Sequence, residues 1–97
     1  MKDDRYDVVK FLIDKGYIKT VREISRAIPS SVVAKDMGIG YLRWIKKIRN
    51  VERFSFEELY RLASLLGVDG SVLIRLAHDQ YKADKLRQGN VPGNGTA

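Results

Sequence analysis

The chain has 97 residues, 44% of them hydrophobic, with 18 Lys plus Arg against 12 Asp plus Glu and a formal net charge of +6. A chain this long buries somewhat over about 60% of the surface it would expose when unfolded, which supplies one core and excludes two. Having no cysteine, it can build no disulfide framework, thiolate metal site or cysteine nucleophile, and a reducing cytoplasm is the expected compartment.

From Asp3 to Lys15 the apolar residues Val8, Val9, Leu12 and Ile13 recur at helical spacing. An acidic start suits the positive end of a helix dipole, and Gly16 supplies the stop. Thr20 and Glu23 then form a Thr-x-x-Glu capping box ahead of Ile24 and Ile28, with a break at Pro29, which predicts a short second helix. Ser30 or Ser31 caps a third segment, Val32 to Met37, closed by Gly38, and a fourth helix runs from Tyr41 to about Arg49. Ser55 and Glu58 make a second capping box, with Phe54 and Leu59 as its hydrophobic staple. Phe56, Leu59, Leu62, Ala63 and Leu66 form that helix's buried stripe, and Gly67 ends it. A last helix starts at Asp69, Gly70 or Ser71 and extends to about Arg87. Val72, Leu73, Leu76 and Ala77 repeat on it at spacings of three to four, with Tyr81 near the edge of that stripe. Residues 88–97, with three glycines, one proline and little to bury, are expected to be a disordered tail.

No segment alternates with period two for long enough to make a strand, and no internal repeat is visible. The expected fold is all-α, a compact five- to six-helix domain over residues 1–87. No apolar run approaches the roughly 20 residues that span a bilayer, so no membrane association is expected.

Catalytic chemistry finds few parts here. His78 is the single histidine, and the chain has no phosphate-binding Gly-rich loop, no HExxH and no calcium-loop spacing. An enzyme is not expected, nor a cofactor or a metal site. Basic charge points instead to a polyanionic partner, because Lys and Arg replace the counterions condensed on a phosphate backbone.

The charge is concentrated in one place. From Gly40 to Arg53 there are five basic residues and one acid, Glu52, whereas the first nineteen residues carry five basic groups against four acids. In the same region Ala34 stands four residues before Gly38, where a small side chain lets two helices cross closely. Gly38 takes the left-handed conformation a sharp turn needs, and Ile39 covers the corner. Tyr41, Trp44, Ile45 and Ile48 form an apolar stripe expected to face the core, with Trp44 as its anchor. Arg43, Lys46, Lys47 and Asn50 repeat at i, i+3, i+4 and i+7 on the opposite side. A short helix with cations outward has the width and chemistry to enter a DNA major groove, which is about 12 Å wide.

From about Ser30 to Ala77 the sequence resembles the lambda-repressor-like, Cro/XRE-type helix-turn-helix family, most closely its small stand-alone bacterial members. The resemblance rests on Val33, Ala34, Met37, Gly38, Ile39 and Trp44, then Leu59, Leu62, Ala63, Leu66, Gly67 and Val68. It implies a helix-turn-helix at about 30–50 that binds double-stranded DNA, often as a homodimer on a pseudo-palindromic site, in the service of transcription regulation. The chain departs from the family pattern at three points. Ser30 stands where the family often has Gln. Lys47 followed by Ile48 stands where an apolar residue is usual three positions after Trp44, which leaves the recognition register open by one residue. The segment from Thr20 to Ile28 is an additional helix.

The expected function is therefore sequence-specific DNA binding. Arg43, Lys46, Lys47 and Asn50 are the candidate base readers, and Ser30, Ser31, Lys35, Arg49 and Arg53 the candidate phosphate contacts. The competing reading is a protein-interaction module, such as an antitoxin-like or mobile-element accessory protein. There Ile74 and Tyr81 on the last helix would face a second copy or another protein partner.

Overall fold

A computed structural model of the chain describes residues 3–87. Among these residues there are six α-helices, one 3-10 turn and no strand. The helices are α1 (Arg5–Asp14), α2 (Val21–Ala27), α3 (Ser30–Met37), α4 (Tyr41–Arg49), α5 (Phe56–Leu66) and α6 (Gly70–Arg87), with the 3-10 turn at Val51–Arg53 between α4 and α5. The all-α expectation holds, and each predicted helix is found. The expected tail at 88–97 lies outside the described residues. No described helix is long and apolar enough to cross a membrane.

Local chemistry accounts for most helix ends. Thr20 accepts the Glu23 N–H at 3.2 Å while the Glu23 carboxylate accepts the Thr20 N–H at 3.1 Å. Ser55 and Glu58 repeat the exchange at 3.1 and 2.9 Å. Each such cap contributes about 1 kcal/mol by satisfying first-turn N–H groups that no helical carbonyl can reach. Phe54 and Leu59, on either side of the second box, are both buried, as a staple requires.

The core is one cluster to which every helix contributes. It gathers Tyr6, Val9 and Ile13 of α1, Val21 and Ile24 of α2, Val33, Ala34 and Met37 of α3, and Trp44 and Ile48 of α4. From α5 come Leu59, Leu62, Ala63 and Leu66, and from α6 Leu73, Leu76 and Ala77. The helices α5 and α6 pack against each other across the turn that Gly67 opens, with α1 against α5, α2 against α6 and α4, and α3 against α4 and α5. The additional helix α2 therefore has a structural place: it fills the angle between α1, α4 and α6.

Four expectations are corrected. Val8 is exposed, and Tyr6 takes its place in the buried stripe of α1, which is narrower than the run Val8, Val9, Leu12, Ile13 implied. Tyr41 and Phe56 are exposed too. Each is the first residue of its helix, at the end of the apolar stripe rather than within it. Finally, α3 begins at Ser30 with Pro29 at its N-cap, and neither serine hydroxyl caps it. The Pro29 carbonyl accepts from Val32 and Val33 at 3.1 and 3.3 Å, which draws both serines into the first turn.

Candidate nucleic-acid interface

The helices α3 and α4 meet at the turn Gly38–Ile39–Gly40. Gly38 sits at φ +71° and ψ +29°, a conformation that costs a residue with a Cβ roughly 1 kcal/mol or more. The Gly38 N–H donates to Lys35 at 3.1 Å and the Ile39 N–H to Ala34 at 2.9 Å, the paired closing bonds of a left-handed C-terminal cap. Ala34 is buried, and Ile39 packs half-buried against the core, as the sequence predicts. Trp44 anchors α4 in the core at 1% exposure, its ring edge-on to Phe54 with centroids 5.6 Å apart.

Side chains from three other helices then fix this pair of helices in place. Tyr6 of α1 donates its hydroxyl to Asp36 of α3 at 2.7 Å. Arg61 of α5 donates to the Met37 carbonyl at 2.8 Å, one residue before the glycine turn. Gln80 of α6, 1% exposed, donates to the Ile48 carbonyl at 2.7 Å and accepts the Arg22 N–H at 2.8 Å. One carboxamide thus satisfies an acceptor in the last turn of α4 and a donor in the first turn of α2, groups that helix geometry leaves without partners. Arg22 continues the tie with a two-pronged bond to Asp84, at 2.9 and 3.3 Å, and a longer one to the Arg49 carbonyl at 3.4 Å. Gln80 reads in the sequence as a polar surface residue, although it stands seven, four and three residues after Leu73, Leu76 and Ala77 of the buried stripe.

The outward side of α4 carries Leu42, Arg43, Lys46, Arg49 and Asn50, all exposed. Among the described residues none of Arg43, Lys46, Arg49, Arg53 or Lys35 forms an ion pair; the carboxylates within reach of a cation lie elsewhere. Arg43, Lys46 and Lys47 share one shallow recess with Arg53 of the 3-10 turn. Arg49 and Asn50 instead border a recess at the other end of α4 whose signs are mixed, with Glu52 and Asp84 beside Lys85 and Arg87. Ser31 and Lys35 are exposed and Ser30 half-buried on α3, outside both recesses. The Asn50 carboxamide leans back toward the Lys46 carbonyl at 3.4 Å.

Lys47 is not on the outward face where its spacing placed it. Its side chain is 13% exposed and pairs with Glu58 of α5 at 3.1 Å, donates to the Arg53 carbonyl at 3.0 Å and lies over the Phe54 ring. The position is at the edge of the core beside Trp44 and Ile48, and a lysine there buries its stem while its ammonium finds a carboxylate. Burial alone would raise the Glu58 carboxyl; the Ser55 N–H and the Lys47 ammonium outweigh it and hold the group below its ordinary value. The Tyr6 phenol moves the other way, raised well above its ordinary value by burial and by the bond to Asp36.

Comparison of the chain with protein families, curated proteins and solved structures returns no match. The chemistry of the site therefore rests on its own geometry. At its N-terminal end α4 has neither a side-chain cap nor an acidic residue in the first turn, so its unpaired N–H groups and Arg43 add to one electropositive end. Cations near the C-terminus of a helix serve its dipole, which accounts in part for Lys46 and Arg49. Arg43 sits at the wrong end for that purpose. Arg43 is exposed at this electropositive end and, among the described residues, forms no ion pair.

Proposed function

We propose that this chain is a sequence-specific double-stranded DNA-binding protein of the lambda-repressor-like helix-turn-helix type, a transcriptional regulator without catalytic activity. In this reading α3 and α4 are the motif and α4 enters the major groove. The observation that carries it is the unpaired cationic side of α4, on a helix fixed by side chains from α1, α5 and α6. A rod of nine residues, about 14 Å long, can present three or four side chains to base edges when its own position does not drift.

Arg43, Lys46 and Asn50 are the base readers, with arginine and lysine suited to guanine O6 and N7 and asparagine to adenine. Arg49, Arg53 and Lys35 hold phosphates, joined by the first-turn N–H groups and hydroxyls of Ser30 and Ser31. Lys47 stays with Glu58 and serves the fold. Selection of bound duplexes from a random pool tests the proposal. Recovery of a common sequence supports it, a palindromic one adds a homodimer, and a pool that never enriches contradicts it.

A second reading, a protein-interaction module, draws on a different surface. An apolar groove between the 3-10 turn, α5 and α6 is lined by Phe54, Phe56, Leu59, Ile74, Ala77 and Tyr81. Light scattering of the DNA-free protein, followed by a pull-down from lysate and a duplex titration, separates the two. A stable complex with another protein combined with no duplex binding favours the module.

A further inference from the structure

The outward side of α4 holds one residue that its cationic chemistry does not require. Leu42 is 72% exposed, one helical turn before Lys46, two before Arg49 and adjacent to Arg43. It is not a member of the buried core cluster. Helix formation does not call for it, since Lys, Glu or Gln at this place would propagate the helix about as well and would be hydrated. Its neighbours decide what covers it. A surface with Arg43, Lys46 and Arg49 around a leucine suits a partner that is anionic at its rim and offers an apolar group between the charges. The DNA major groove is built this way: phosphates border it, and the one apolar group on its floor is the C5 methyl of thymine.

We infer that Leu42 is a specificity-determining residue that reads thymine through its methyl group. The inference rests on the DNA-binding reading above and adds to it a side chain and a base. Arg43 and Lys46 recognise hydrogen-bonding edges, whereas Leu42 discriminates by apolar contact, so the preferred site carries a thymine within a base step or two of the guanine that Arg43 reads.

The test uses the full chain and the duplex recovered by selection. Each thymine in turn is replaced by deoxyuridine, which removes the methyl group and leaves every hydrogen-bonding atom, and affinity is measured for the wild type and for Leu42→Ala. Because Leu42 is exposed, the variant keeps the fold. One thymine in each half-site is expected to lose about fourfold in affinity for the wild type, the worth of one buried methyl-sized group, and none for Leu42→Ala. Uniform tolerance of deoxyuridine by the wild type overturns the inference, as does undiminished sensitivity in Leu42→Ala. A duplex that still depends on Arg43 while ignoring every methyl group removes the inference and leaves DNA binding standing. A pool that never enriches removes both. Loss of self-association in Leu42→Ala, without any methyl effect, assigns the leucine to a protein contact and likewise overturns it.

Discussion

The carboxamide of Gln80 meets the Ile48 carbonyl at 2.7 Å, so the last turn of α4 is held by a side chain thirty-two residues away on the longest helix of the fold. The same group accepts from Arg22, and truncating it strands a part-buried donor and a buried acceptor together. Gln80→Ala should lower unfolding free energy by about 2–4 kcal/mol, since each stranded group costs roughly 1–3. Urea denaturation checks it, followed by the fluorescence of Trp44, the single tryptophan.

Lys47 and Arg43 are four residues apart on one helix and should separate cleanly in their effects. Lys47→Ala leaves Glu58, itself only 15% exposed, without its ammonium and should lose about 1–3 kcal/mol of stability. Arg43→Ala should leave the denaturation midpoint within about 0.5 kcal/mol of wild type and weaken binding to the selected duplex by about 1–3 kcal/mol. Denaturation and duplex titration of both variants give the four numbers needed.

The two glycines of the turn are not equivalent. Gly38→Ala forces a Cβ into φ +71° and should cost about 1–2 kcal/mol. Gly40 lies at φ −59° with no atom near an added Cβ, so Gly40→Ala should change stability by less than about 1 kcal/mol. Thermal melts of the two variants make the comparison.

Stability should fall at both ends of the pH range for separate reasons. The Glu58 carboxyl is lowered in the folded state, so its contribution is complete above the ordinary glutamate value of about 4.3 and is lost as pH falls through the folded value. The Tyr6 phenol is raised, so its contribution is complete below the ordinary tyrosine value of about 10 and declines as pH rises beyond it. Urea midpoints against pH should show both arms, with the acid arm reduced in Glu58→Gln and the alkaline arm in Tyr6→Phe.

Much of the fold was legible because its signals are local. A capping box spans four residues, a glycine stop needs one, and amphipathic spacing is read within a single helix; these located all six helices. Side chains whose partners come from other helices were harder. Lys47 has the same spacing from Arg43 as an outward residue would, and the groups it meets, Glu58, the Arg53 carbonyl and the Phe54 ring, all lie outside its own helix. Gln80 looks like a polar surface residue until α2 and α4 end against it. Its place on an apolar stripe was the available signal, as an apolar residue among cations was for Leu42. Tyr41 and Phe56 differ for a simpler reason: the helical wheel gives angle and not depth, and both stand at the very start of their helices.

The central claim is that α4 offers its unpaired cations to duplex DNA. The most direct measurement is the affinity for the selected duplex as a function of salt, in wild type and in the triple variant Arg43→Ala, Lys46→Ala, Arg49→Ala. For each phosphate contact the slope of log affinity against log salt is about −0.9. A steep negative slope is expected for the wild type and a shallower one, with weaker binding throughout, for the variant. Equal affinity and equal slope in the two proteins would contradict the claim.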